Sequence, residues 1–324
     1  LDLAAAYLAV TDTPNAEAEL AMFEAESSRN PEIVHLMIAE VWAAAEMADD
    51  ALSELDRALD LAARGSDDWE RIVSAWVRWN VSLRSADSLD EILLARLSSE
   101  LDVPPSNNPP SLDAFTRAIM DNLAPERAIT LLRSLSESRS DAVLASLAYA
   151  SALFEEGRVG EAQAVLDEFA NRGDYADLAL IGEWFYEHDS LVEASQIWLR
   201  SLDYSPEPEW ELDRLVELYV RRGWAYELES LVPSYLDYLG DDLQARVRLA
   251  AALERLDLWN SIVTVLEPVA ERIDDPNTVW QLGEAFFDGG RSDDELALYQ
   301  AFWERNFSPE SFPRRTVERL QDRG

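Results

Sequence analysis

The sequence contains no cysteine, and that absence removes disulfides, thiolate metal sites and cysteine nucleophiles together. It contains no lysine either: all 27 basic side chains are arginine, set against 64 Asp and Glu for a formal net charge of −37. A chain so poor in cations repels phosphate backbones, because nucleic-acid binding works by cationic side chains displacing counterions. Insertion into or binding to anionic membranes is disfavoured for the same reason. No apolar run approaches the roughly 18 residues that a spanning helix needs, and no signal peptide is visible. Alternating β-branched runs bounded by hairpin turns are missing. Glycine is scarce, 11 in all, and most glycines close apolar stretches, where helices end. What is present is 48% hydrophobic content, ample for a continuous core. The chain reads as all-α.

Chemistry is as thinly represented as cysteine. His35 and His188 are the two histidines, far apart, and each reads as a surface or partly packed side chain rather than a ligand. No Ser-His-Asp arrangement, phosphate-cradling glycine loop or HExxH is recognisable. Asp288-Gly-Gly-Arg-Ser-Asp-Asp-Glu295 has the composition of a calcium loop without the EF-hand order, and a helix–helix turn explains it better. Paired carboxylates are expected by chance in so acidic a chain, so they are weak grounds for catalysis. No catalytic residue, metal site or cofactor is assigned, and the chain reads as a non-enzyme. Asn80-Val-Ser82 and Asn306-Phe-Ser308 fit the glycosylation sequon, which matters only in a secretory eukaryotic setting.

One stretch organises the rest. Residues 147–170, LAYASALFEEGRVGEAQAVLDEFA, read as an apolar helix stopping at Gly157, a short turn, and a second helix carrying Leu166 and Phe169 inward. The pattern recurs about every 34 residues. A small or apolar residue opens the second helix at Ala128, Ala162, Ala194, Leu228 and Ile262, with spacings of 34, 32, 34 and 34. Turns fall at Gly157, Asp189, Gly223, Asp257 and Gly290, spaced 32, 34, 34 and 33. Mid-way along the first helices stand Ala150, Gly182, Val216, Ala250 and Gly283, where two backbones approach closely. These residues resemble the tetratricopeptide repeat (TPR) family. The best copies are Ile181-Gly182 with Phe185, Ala194, Trp198 and Pro206, and Leu282-Gly283 with Phe286, Gly290 and Tyr299. Leu228 and Glu295 depart from the usual alanine, and Pro233 and Pro268 fall where second helices are expected to be interrupted. The resemblance covers roughly residues 1–305 and is strong from 112 to 303. It implies a right-handed superhelical solenoid of antiparallel helix pairs, about nine repeats, and nothing about chemistry.

In order, residues 1–102 are expected to hold degenerate N-terminal repeats. The first is truncated, with a turn at Pro14 and a helix facing inward through Ala18, Met22 and Ala25. The next pair presents Ile38, Ala39 and Trp42, then Ala51, Leu55, Ala58 and Leu59, the last four at i, i+4, i+7 and i+8, one helical face. A longer, less regular pair holds Trp69, Trp76 and Trp79. Residues 103–111, with four prolines, cannot be helix interior and read as an inter-repeat loop. Regular repeats fill 112–308, and the Pro276 first turn suits a helix start. Residues 309–324 read as a capping helix or the start of a further repeat. The absence of Met at Leu1 fits a fragment of a longer array.

Family resemblance also implies where a partner would bind: the concave face lined by first helices. Its contact positions fall on Phe154 and Glu155, on Glu183, Tyr186 and Glu187, on Trp210, Asp213 and Glu217, and on Trp280, Glu284, Phe287 and Asp288. Without the family, Glu183 and Glu187 are still i, i+4 neighbours of like charge, which points to a solvated or partner-facing surface. Packing of Tyr186 and Phe287 between repeats, with ordinary solvated acids around them, explains the same residues. The expected function is a protein-binding scaffold in a larger assembly, its acidic, aromatic groove receiving a basic or mixed protein surface. The alternative is the periplasmic TPR region of an exopolysaccharide export protein, which acidic, cysteine-free arrays of this family resemble. There the groove engages a cationic polysaccharide or a polymer-modifying enzyme. The compartment stays open, the periplasm slightly favoured over the cytoplasm. Solubility or salt adaptation explains the acidity equally well.

Overall fold

The computed structural model describes residues 1–102, 112–206, 208–240 and 242–306. The loop expected at 103–111, the segment expected to cap the chain at 309–324 and most of the second sequon lie outside the described residues. Every regular element among the described residues is helical, and the helices group into two compact units, 1–173 and 174–324.

The first unit holds α1 (Asp2–Ala9), α2 (Thr13–Glu26), α3 (Pro31–Ala44), α4 (Ala48–Leu61), α5 (Asp67–Leu83), α6 (Ala86–Leu101), α7 (Asp113–Asn122), α8 (Pro125–Ser138), α9 (Val143–Glu155) and α10 (Val159–Ala170). The second holds α11 (Tyr175–Glu187), α12 (Leu191–Leu202), α13 (Glu209–Arg222), α14 (Ala225–Leu239), α15 (Leu243–Glu254), α16 (Trp259–Leu266), α17 (Pro276–Asp288) and α18 (Ser292–Asn306). Within each unit, consecutive helices pack on one another, as in α3 on α4 and α11 on α12. The result is a helical-repeat scaffold of paired helices.

The turn inside seven of the nine helix pairs among the described residues follows one rule. At Thr11, Glu46, Gly157, Asp189, Gly223, Asp257 and Gly290 the backbone enters the left-handed region, with φ between 56° and 74°. The N–H of the following residue then donates to the carbonyl five residues back: Asp12 to Tyr7, Met47 to Trp42, Arg158 to Leu153, Ser190 to Phe185, Trp224 to Tyr219, Leu258 to Leu253 and Arg291 to Phe286. This bond, with the partner bond from the left-handed residue itself, closes a helix by satisfying two carbonyls that the helix leaves free. It reverses the chain in three residues and sets the second helix antiparallel to the first. The five turns read from the sequence all use it, and Thr11 and Glu46 extend it to the N-terminal pairs.

Two pairs in the first unit do not. α5 ends at Arg84 and α7 at Leu123, both with extended backbone. Contacts there shift accordingly: α5 packs on α4 and α7 far more than on α6. Trp69 and Trp76 of α5 meet the Phe115 ring of α7 edge-on at 5.8 and 6.1 Å, and Arg127 of α8 reaches Asp90 of α6 at 2.7 Å.

The packing positions follow the repeat. Ala128, Ala162, Ala194, Leu228 and Ile262 are all buried to 1% exposure or less, and Glu295 takes the same place in the last pair, also buried. At the mid-helix positions Ala150 and Ala250 are buried, and two glycines face large rings. A Cβ on Gly182 would overlap the Trp198 indole, and one on Gly283 would overlap the Tyr299 ring. Glycine there lets α11 and α17 lie against the flat aromatic face of their second helices.

Some expectations need correction. In α2 the inward residues are Ala16 and Leu20, while Ala18, Met22 and Ala25 face solvent. Pro14 is not a turn but sits in the first turn of α2, where its missing N–H costs nothing. Pro233 lies inside α14 without ending it. Pro268 does act as expected, since α16 gives way at Leu266 to a 3-10 segment over Glu267–Arg272. Asn80 is 1% exposed, donates to Trp76 O and accepts from Arg84. A sugar cannot be attached there without opening the fold, so the first sequon is a packing residue.

Candidate partner-binding face on α11 and α13

The two first helices α11 and α13 bring four of the expected residues around one side chain that the sequence reading passed over, Arg214. Its Nη2 donates to Glu183 Oε1 at 2.7 Å and its Nη1 to Glu217 Oε2 at 3.1 Å. The same guanidinium lies 5.7 Å from the Tyr186 ring centre and 5.6 Å from that of Trp210. Two carboxylates and two aromatic faces thus hold a single cation, the arrangement that cation–π attraction and ion pairing favour jointly. Arg221, about two turns further along α13 and also missed, donates to the Tyr186 hydroxyl at 3.0 Å and lies 5.6 Å from its ring.

The rings are fixed from below. Trp198 of α12, fully buried, meets Tyr186 at 5.6 Å and Trp210 edge-on at 6.0 Å. The Gly182 approach that seats Trp198 therefore also sets the height of Tyr186 and Trp210. Trp210 itself is 43% exposed, so one indole edge stays open to solvent.

Electrostatics at the face are strained on the acidic side. Burial raises the Glu183 carboxyl above its ordinary range; Arg214 opposes this, and Glu187 and Glu217 add to it. Glu183 Oε2 and Arg214 Nε have no hydrogen-bond partner among the described residues. Glu187 is exposed, as is Glu217, so two of the acids keep most of their surface.

The other expected residues lie elsewhere. Asp213 turns to α14, where it accepts a hydrogen bond from Tyr235; burial and this bond to a carboxylate push the Tyr235 hydroxyl well above the usual range. On α17, Trp280 stacks over Tyr299 at 6.3 Å, Glu284 is half-buried, and Phe287 and Asp288 are exposed. Phe154 and Glu155 lie on α9 in the first unit, half-buried and exposed. His35 is buried with its Nδ1 2.6 Å from Glu54, and His188 caps α11 against the Trp184 carbonyl and stacks on that indole. Arg291 in the 288–295 turn bridges Glu267 and Asp294. No group of three or more His, Asp or Glu side chains placed to hold a metal exists among the described residues. No helix among them is long and apolar enough to cross a membrane.

No protein-family model matches the chain, and no curated protein matches it. Among solved structures it is similar to a chain of the APC/C hetero-tetramer Cut9–Hcn1, at 11% identity and a TM-score of 0.28. That match covers 91% of this chain and 57% of the other, so this chain spans little more than half of its length. It is also similar to the TPR domain of P58(IPK), at 16% identity and a TM-score of 0.24, over 99% of this chain and 96% of that one. Overlap this loose carries no partner or activity across. The chain's own geometry among the described residues (seven repeated left-handed turns, buried openings of the second helices, glycine against an aromatic ring in two pairs) is that of one antiparallel helix pair repeated along the sequence.

Proposed function

We propose that the chain is a non-catalytic, protein-binding scaffold whose recognition surface includes the α11–α13 face, and that this face receives a partner segment bearing arginine or lysine. The observation that carries the reading is Arg214. The face already holds one guanidinium between Tyr186 and Trp210 with Glu183 and Glu217 as counter-charges. The exposed edge of Trp210 and the carboxylates of Glu187 and Glu217 offer the same chemistry to a cation from outside. A net charge of −37 adds long-range attraction that raises the association rate of a basic partner and fades with salt. The helices are held by their own packing, so binding orders little of the scaffold.

The test is affinity capture from native lysate by the intact chain and by a triple variant, Glu187→Arg, Glu217→Arg and Trp210→Ala. All three positions are exposed, so the fold should survive. Glu183 is left alone because it is half-buried and the closer of the two counter-charges of Arg214. Proteins rich in Lys and Arg that elute at moderate salt from the native chain and are lost from the variant support the reading. An unchanged set of retained proteins would refute it. Retention of a cationic polysaccharide in place of proteins would move the reading to polymer handling.

A further inference from the structure

On the other side of α13 the second helices α12 and α14 enclose a cleft of about 440 Å³, walled by Leu199, Leu202, Leu212, Tyr219, Tyr226 and Leu231. That volume lies within the ~300–1,000 Å³ of binding clefts. Its floor is finished core: Leu212, Tyr219 and Leu231 are 4% exposed or less. Its mouth is not, because Leu199 is 43% and Tyr226 78% exposed. An aromatic ring and a leucine left open beside an apolar hollow give that hollow an apolar rim, the form that interaction sites take. Asp203 and Glu227 stand at the same mouth, and among the described residues neither is in an ion pair.

We propose that this cleft is a second docking site, separate from the α11–α13 face. It takes a partner protein segment that inserts one large apolar side chain and carries Arg or Lys within about one helical turn of it. The apolar walls supply the anchor pocket. The two unpaired carboxylates, backed by the charge of the whole chain, exclude acidic occupants and favour the flanking cation. A lipid is disfavoured on the same ground, since its anionic head would meet Asp203 and Glu227. Leu199 and Tyr226 gate the mouth and are the residues a bound segment would cover first.

Random dodecapeptides displayed on phage, selected at low salt against the intact chain, test this. Enriched peptides should share a Leu, Phe or Trp with an Arg or Lys within four positions. Their affinity should fall by about tenfold or more, the hallmark of a truncated anchor contact, for both Leu199→Glu and Tyr226→Ser. Trp210→Ala should leave it within about twofold. Both cleft positions are exposed, and circular dichroism with a thermal melt verifies that each variant is folded; Tyr226→Ser removes atoms only and serves if Leu199→Glu is not. The proposal is overturned if no peptide is enriched, if binding ignores both cleft substitutions, or if enriched peptides lack the cation. It is equally overturned if the chain dimerises and Leu199→Glu returns it to monomer, for then a second copy fills the cleft. Peptides sensitive to Trp210→Ala alone would report the α11–α13 face and overturn the proposal in the same way.

Discussion

Replacing Gly182 with alanine should destabilise the protein even though alanine is the better helix former. On propensity alone the change in mid-α11 gains about 1 kcal/mol. The new Cβ, however, would overlap Nε1 and Cδ1 of Trp198 and stand 3.0 Å from Cε2, where carbon contacts settle at ~3.5–4.0 Å. The indole has to withdraw by roughly an ångström in a core where it is fully buried. Its Nε1 hydrogen bond to Ala179 O, already 3.4 Å long, breaks in the process, at about 1 kcal/mol. Overpacking of this kind costs ~1–3 kcal/mol, so the net loss is about 1–3 kcal/mol, several degrees of melting temperature for a unit of this size. Gly160 supplies the control: it lies in α10 with nothing near its absent Cβ, so Gly160→Ala should leave the melt unchanged or raise it. In a Trp198→Leu background the penalty at Gly182 should vanish. Thermal melts of the four variants decide the matter. If Gly182→Ala raises the melting temperature as Gly160→Ala does, the close approach at the centre of the repeat is wrong.

Other consequences follow from single residues. Glu46→Gly should stabilise the first unit by about 1 kcal/mol, because an L-residue pays ~1–2 kcal/mol in the left-handed turn it occupies; an unchanged melt would count against the turn. Asp275 accepts from the Thr278 N–H and hydroxyl at the start of α17, and those bonds hold its carboxyl below the usual value. Asp275→Ala should cost about 1 kcal/mol. Because the folded pKa is depressed, that contribution is full above the unfolded value near 3.9 and is lost as pH falls through the folded one. The gap between native and variant melts should therefore close in acid and stay constant from pH 5 upward. Added salt should raise the melting temperature, since self-repulsion at −37 is screened within about 10 Å at 0.1 M; a falling melt would mean the internal arginine pairs outweigh it.

How much of this was legible in the sequence depends on which residues carry periodic information. Gly157, Asp189, Gly223, Asp257 and Gly290 named their turns because a left-handed backbone restricts residue choice, and the four non-glycine turns pay strain for the same geometry. Gly182 and Gly283 named their packing because no other residue fits against Trp198 and Tyr299. The inward face of α2 was misread because alanine is common on both of its sides, so spacing alone could not choose between Ala16-Leu20 and Ala18-Met22-Ala25. Asn80 looked like a sequon because local sequence says nothing of burial. Glu183, Tyr186, Trp210 and Glu217 were legible as residues of neighbouring first helices, and they meet around Arg214. Arg214 and Arg221 did not stand out in a chain with 64 acidic residues against 27 basic ones; the i, i+3 pairing of Arg214 with Glu217 was the available signal. Nothing local could show that Leu199 and Tyr226 flank one cleft, since they lie on different helices.

Hydrogen exchange on the intact chain, with and without the partner that native capture retains, tests the proposed role most directly. Protection is expected in two short stretches, 183–187 on α11 and 209–221 on α13, together with a cation from the partner shielded from solvent there. Protection confined to the first unit, or spread over second helices while α11 and α13 exchange as before, would contradict it.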